Sequence, residues 1–314
     1  MERVDVIVVG GGPGGLSAGL LLGRSRRRTV ILDGNEPRNA QTHAAHSFLT
    51  RDGIAPQELR RISREQLATY PSIEVRHGHV TDARVSGSGF AVALSDGSEL
   101  SARRLILATG VRDLLPDIEG IEERYGRSVF HCPYCDGWEQ RDRPLAVLVE
   151  PAMAEAQAMM IQHWSQDLIL LSHGEPLEAD VVRRLEGTGI GVRTDRIIRL
   201  EGDGDRLARI HLASGEVLAR VGMFVRPAIQ PRTELAQRLG CELIDDGMIP
   251  GLIRVDTIQQ TTVPGVYAIG DVATPMQQIS GAVASGAVAG AMLNHALIAE
   301  DYARATSGED VSAA

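Results

Sequence analysis

Val4-Asp5-Val6-Ile7-Val8-Val9-Gly10-Gly11-Gly12-Pro13-Gly14-Gly15 is the segment on which the fold turns. A short apolar, β-branched run enters a glycine-rich turn, and an Ala/Leu-rich stretch follows. The pattern reads as strand, tight turn and helix. Gly10, Gly12 and Gly15 fit G-x-G-x-x-G in the context that gives the motif meaning. The first glycine permits the turn and the second lets backbone approach a pyrophosphate. The third lets the helix pack near the strand, so that the helix N-terminus faces the phosphates. Pro13 and Gly14 belong to the same phosphate-facing turn. A second strand, Thr29 to Leu32, ends in Asp33, eighteen residues past Gly15. A ribose-binding acid is expected about 20 residues on. A glycine turn without a ligand is the alternative, and the strand, helix and acid together weigh against it.

Outward from this unit, the chain shows a meander: Ile73 to Val80, Phe90 to Leu94, and Leu105 to Leu107 running into Ala108-Thr109-Gly110. A second αβ pattern starts at Leu145 to Val149, with a helix around Ala154 to His163 and a strand Leu168 to Leu171. After Asp245, Val263 to Asp271 gives a turn, a strand and a glycine–aspartate stop. The expected fold is α/β, with two Rossmann-like dinucleotide-binding domains, the second inserted into the first and a weak internal duplication between them. The discontinuous domain is placed at 1–115 and 245–314, the inserted one at 116–244.

The formal net charge of -9 argues against nucleic acid or an anionic membrane as the main partner. The basic run Arg24 to Arg28 is placed at the C-terminal end of the first helix, where cations are favoured. No signal peptide is visible. The apolar stretch Ile279 to Leu293 is rich in Gly, Ala, Ser and Val, and Asn294 and His295 are expected to interrupt it short of a span. Close packing of a small-residue helix is the preferred reading, and the expected location is cytoplasmic.

Only three cysteines are present. Cys241 stands alone and reads as a small packing residue. The other two lie in His131-Cys132-Pro133-Tyr134-Cys135-Asp136-Gly137. Two intervening residues allow a small disulfide ring, and a helix N-terminus would stabilise a thiolate. Asp136 is placed to manage thiol protons. Zinc is the rival, but it needs four ligands and no second half-site has matching spacing, so no metal is expected.

The order of these motifs (glycine fingerprint, Ala-Thr-Gly, C-x-x-C-Asp-Gly, Gly-Asp) resembles that of low-molecular-weight thioredoxin reductases over essentially the whole chain. The resemblance implies FAD as cofactor and a homodimer. It implies that Arg38, Asn39, Val80, Thr109, Gly110, Gly270, Asp271, Gln277, Gln278 and Ile279 join the glycine turn and Asp33 in holding that cofactor. It also implies that Cys135 is the flavin-proximal sulfur, that Cys132 exchanges with substrate, and that Asp136 shuttles the proton.

The inserted domain departs from the family pattern. Its first strand ends in Glu150-Pro151-Ala152-Met153, with a negative charge near the pyrophosphate position, one amide deleted by proline and no glycine. Its second strand is followed by Ser172-His173-Gly174-Glu175, without an arginine cluster for a 2′-phosphate. A divergent but working NADPH site remains the alternative to a lost one. Cys132-Pro133-Tyr134-Cys135 and Pro37 through Gly53 are similar to the dithiol oxidases that close the disulfides of holomycin, gliotoxin and romidepsin. His46 in that stretch is a candidate for proton transfer beside the flavin, or a surface histidine. The expected activity is oxidation of a small-molecule dithiol with oxygen as acceptor. A thioredoxin reductase fed by ferredoxin or NADPH, and a flavin-bearing redox sensor, are the alternatives.

Overall fold

The computed structural model describes residues 2–307. The described chain gathers into two compact units: residues 2–38, 57–112 and 229–307 form the first, and Asn39–Pro56 and Asp113–Ala228 the second.

In the first unit, β1 (Glu2–Val9) leads through the glycine turn into α1 (Pro13–Arg24), β2 (Thr29–Asp33), α2 (Pro56–Leu67) and β3 (Ile73–His77). Then come β4 (Val80–Ser86), β5 (Gly89–Leu94) and β6 (Glu99–Leu107). The strand order is β3-β2-β1-β6-β5-β4. β3, β2, β1 and β6 are parallel, whereas β5 pairs antiparallel with both β6 and β4. The expected strand from Ile73 to Val80 is therefore two strands, parted at Gly78-His79. β3 is a parallel edge strand beside β2, and only β4 belongs to the meander.

The second half of β1, Val6–Val9, is apolar and buried because both faces are covered. Val6 and Val8 pack with Leu16, Leu22 and Ile31 on one side. Ile7 and Val9 pack with Val30, Leu105 and Leu107 on the other.

The chain passes between the units at 38/39 and 56/57, at 112/113 within β7 (Val111–Leu114), and at 228/229 within β16 (Ala228–Pro231). The second unit holds β8 (Val129–Phe130), α3 (Pro133–Asp136), β9 (Leu145–Leu148), α4 (Ala154–Gln162), β10 (Leu168–Leu171), α5 (Ala179–Gly187) and β11 (Gly191–Arg193). It continues with β12 (Ile197–Asp203), β13 (Arg206–Leu212), β14 (Val217–Ala219) and β15 (Gly222–Val225). Its main sheet, β11-β10-β9-β15-β8, is parallel throughout. A separate antiparallel sheet, β12-β13-β14, intervenes in sequence. The succession β3-β2-β1-β6 in one unit and β11-β10-β9-β15 in the other repeats one topology, the duplication expected from sequence.

The return to the first unit runs through α6 (Leu235–Leu239), β17 (Leu243–Ile244), β18 (Leu252–Ile253), β19 (Val266–Ala268) and α7 (Ile279–Ser307). Leu235, Ala236, Leu239 and Cys241 are buried in the same core as Val9 and Leu107, which ties residues 229–244 to this unit. The sequence reading had these residues in the inserted domain.

α7 is long and apolar enough to cross a membrane by length and composition. Asn294 and His295 do not end it, because the helix bonds its own backbone and Asn294 accepts from Arg27 Nε at 2.8 Å. Its glycines let it lie directly on α1. A Cβ at Gly286 would fall 2.2 Å from Gly14 O, and one at Gly290 2.9 Å from Ala18 O. Gly286→Ala is expected to destabilise the protein by about 1–3 kcal/mol through overpacking, read as a lowered midpoint of thermal unfolding.

Candidate functional site

The first unit carries a cradle at the C-terminal end of β1. Gly10 has φ +115°, and a Cβ there would lie 2.2 Å from Ala108 O. A Cβ at Gly15 would lie 2.0 Å from Gly10 O, so only glycine allows this turn to close on the helix. At Gly12, by contrast, a Cβ would meet no atom within 4 Å. Gly12 is the N-cap of α1, makes no side-chain cap, and is followed by Pro13 in the first turn. The first-turn amides therefore have no intrahelical acceptor, beside a residue with open space at its α-carbon. Such an end suits a phosphate.

Asp33 closes one side of the cradle. It is buried, and a Cβ at Gly11 would fall 2.5 Å from its carboxyl. Its Oδ1 accepts the Asn35 amide at 2.9 Å, and its Oδ2 accepts from Arg60 Nη2 at 2.7 Å and from Arg64 Nη2. Burial pushes the carboxyl up, but the Asn35 amide and the two guanidinium groups outweigh it and hold Asp33 below the usual carboxylate range. Sequence reasoning missed both arginines. Their signal was i, i+4 spacing on one face of α2, which shows a partner only once the fold supplies one.

A second group of expected cofactor residues is gathered in the same unit. Arg38 Nη1 donates to Asp271 Oδ2 at 3.1 Å and to Gln277 Oε1 at 2.6 Å, and Gln277 Nε2 donates to Asp271 O at 3.1 Å. Gly270 and Asp271 lie in a 3-10 turn after β19. Gln278 accepts the Ala282 amide at 2.9 Å, so Ile279 opens α7 just after it. Thr109 and Gly110 follow β6, with Gly110 at φ +66°. Val80 opens β4 and packs half-buried on the core. Asn39 lies in the second unit, where its carbonyl accepts from Thr42. The residues present fit a dinucleotide: a glycine cradle at a helix start, a buried acid beside it, and a polar cluster at a second helix start.

The second unit carries the cysteines. Cys132 and Cys135 form a disulfide with Cα atoms 5.3 Å apart. Cys132 caps the four-residue α3, accepting the amides of Cys135 and Asp136 at 3.1 and 3.2 Å. Proline at the first helical position sets φ for this turn.

Residues 45–54 form a loop pinched shut by Ala45 and Ile54, whose amide–carbonyl bond is 2.7 Å. Ser47 Oγ, in that loop, donates to Tyr134 O, between the two cysteines, at 2.9 Å. The loop thereby brings His46 to the acid side of α3. His46 Nδ1 lies 3.6 Å from both Asp52 Oδ1 and Glu139 Oε1. Burial pushes the Asp136 carboxyl up to about 7, His46 opposes that shift, and Glu139 adds to it. Glu139 was not foreseen, because an acid in a turn after a motif carries no sequence signal of its own.

Where this unit would offer a second nucleotide cradle, β9 is followed by Glu150 and a 3-10 turn Pro151–Met153 before α4. Glu155, in the first turn of α4, takes Arg184 Nε at 2.6 Å. After β10, His173 Nδ1 accepts the Ile197 amide at 3.0 Å, and Arg193 is paired with Glu216 at 2.7 Å.

A glycine cradle in one Rossmann-like unit and a disulfide flanked by a proton-holding acid in the other define a dinucleotide-linked disulfide oxidoreductase. The chain belongs to the pyridine nucleotide-disulphide oxidoreductase family, whose sequence model matches residues 4–286. It is 33% identical over 310 residues to thioredoxin reductase tcpT of Claviceps purpurea, covering 95% of each chain. It is 29% identical to thioredoxin reductase sirT of Leptosphaeria maculans, over 95% of this chain and 96% of the other. Among solved structures, HlmI is similar with a TM-score of 0.92 at 40% identity, over 97% of this chain and 96% of the other. An oxidoreductase from Agrobacterium tumefaciens matches with a TM-score of 0.88 at 38% identity, over 95% of this chain and 99% of the other. The protein is thus a thioredoxin reductase-like thiol/disulfide oxidoreductase.

Proposed function

We propose that the protein is an FAD-dependent dithiol oxidase that closes a disulfide in a small molecule. The observation that carries this reading is the Cys132–Cys135 disulfide beside a half-buried carboxyl poised near neutrality. A group with that balance takes a proton from an incoming thiol at the working pH. The glycine-free turn of the second unit supports entry of electrons from a dithiol rather than from a pyridine nucleotide.

The two sulfurs of the substrate are oxidised and the cysteine pair is reduced. One substrate thiol gives its proton to Asp136 and attacks Cys132, and Cys135 leaves with the electron pair of the broken bond. The second substrate thiol then displaces Cys132, which completes the new disulfide. Asp33, the amides after Gly12, and the Arg38, Asp271 and Gln277 cluster would hold the cofactor. FAD held there would supply a two-electron acceptor for the reduced cysteine pair, with oxygen as the final acceptor.

The test is steady-state turnover of the purified yellow protein with a small dithiol and no nucleotide. Oxygen uptake matched by peroxide is the expected result. No uptake, together with turnover on reduced ferredoxin and thioredoxin, would favour the reductase reading instead.

A further inference from the structure

Two protons leave the substrate for every disulfide made, because two S–H bonds are broken. A single carboxylate holds one of them. If Asp136 receives both in turn, it must discharge between the two attacks. The second unit offers a route for that discharge which the motif alone does not show.

His46 is 20% exposed through its side chain, and it sits between Glu139, 38% exposed, and Asp52, 72% exposed. The three form a gradient from the half-buried acid toward water. Two carboxylate oxygens lie 3.6 Å from one ring nitrogen, so a proton that reaches the ring has acceptors on its way to water. The loop that carries His46 is fixed to the redox turn by the Ser47–Tyr134 bond, and the Ser47 amide is fixed to Asp52 Oδ1 at 2.8 Å.

Other charged groups nearby have partners of their own. His43 lies against Asp205 and Arg127, Arg51 donates to Thr50 O, His131 bonds Tyr125 Oη, and Arg141 stacks over Trp138.

We propose that His46, held between Glu139 and Asp52, is the proton exit of the redox site, and that Glu139 is the positioning residue that fixes the charge around Asp136. The proposal rests on the dithiol oxidase reading for its kinetic part only. In the first attack, the substrate S–H proton moves to the Asp136 carboxylate, the sulfur bonds Cys132, and the Cys132–Cys135 bond breaks with its electron pair on Cys135. Asp136 then passes its proton to His46 and on to solvent. The second substrate S–H proton can now be taken, as the second sulfur bonds the first and Cys132 is released as thiolate.

The experiment has two readouts on the intact flavoprotein. One is the titration of the Asp136 carboxyl by carbon NMR, assigned with Asp136→Asn. The other is the pH profile of anaerobic flavin bleaching by dithiothreitol. Removing the negative charge in Glu139→Gln is expected to lower the Asp136 midpoint by about one unit, with the rising limb of the profile moving to lower pH. Replacing the ring in His46→Asn removes the group that opposes the upward shift of Asp136 and is expected to raise the midpoint. It should also slow bleaching at neutral pH on the order of a hundredfold, the scale of a lost proton-transfer group. Glu139→Asp should restore the wild-type profile. Glu139 is partly exposed, so its substitution leaves the core intact.

Unchanged midpoints in both variants would overturn the proposal, as would midpoints that shift while the profiles do not. If dithiothreitol fails to bleach the wild-type flavin although the midpoints move as stated, the dithiol oxidase reading fails and the electrostatic assignment stands.

Discussion

Cys135→Ser is expected to abolish reduction of the flavin by a dithiol and to cut turnover by roughly 10⁴-fold or more, the scale on which loss of a covalent participant acts. The disulfide is the electron entry point in this mechanism. With Ser at 135 the pair cannot close, and Cys132 presents a thiol rather than an S–S bond. A substrate thiolate then has no sulfur to reduce, and the second displacement never arises.

Cys135 is half-buried on a four-residue turn, and its amide bond to Cys132 O does not depend on the side chain. The variant should therefore keep its fold and its yellow colour. Thermal unfolding and flavin content measured alongside turnover separate a lost route from a lost protein. Ordinary turnover by this variant would refute the assignment of the pair.

Much of this architecture was legible in the sequence because its signals are local. The β1–glycine–α1 segment states a strand, a positive-φ turn and a helix start within fifteen residues, and the structure forms all three. Cys132, Cys135 and Asp136 are likewise adjacent, so their association needs no tertiary fold. Arg38, Asp271 and Gln277 were chosen by resemblance rather than by any local pattern, and the structure gathers them into one cluster.

What stayed hidden depends on partners far apart in the chain. Arg60 and Arg64 read as ordinary surface arginines of α2 until β2 brings Asp33 beneath them. Glu139 acquires meaning only when the loop carrying His46 folds over it. The break at Gly78-His79 is marked in the sequence by a single glycine and by the change of face between Val75 and Val80. The pairing of β3 with β2, and of β4 with β5, shows the two halves. At the end of α7, polar residues at 294 and 295 read as a stop. A helix interior accepts them where they find partners, and Arg27 supplies one to Asn294.

Micromolar NADPH is expected to leave the flavin yellow under anaerobic conditions in which a dithiol bleaches it. A nucleotide diphosphate needs amide donors aimed at it and backbone free to come close. In the first unit Gly12 supplies both. The corresponding place in the second unit has Glu150 at the strand end, Pro151 without an amide proton, and a 3-10 turn before α4. Glu155 adds a further negative charge in the first helical turn, and Arg184 is committed to it through two hydrogen bonds, 2.6 and 2.8 Å long. Arg193, at the end of β11 on the far side of β10, is committed to Glu216.

A hydrogen bond to a charged group contributes about 1.5–3 kcal/mol. Micromolar and millimolar affinity differ by about 4 kcal/mol. Loss of two such phosphate contacts therefore accounts for the whole gap, before repulsion by Glu150 is counted. The measurement is a titration of flavin absorbance with NADPH and, separately, with dithiothreitol. Bleaching by NADPH in the micromolar range would mean that the second unit binds a nucleotide despite this turn, and the dithiol would then be a product of the reaction rather than its source of electrons.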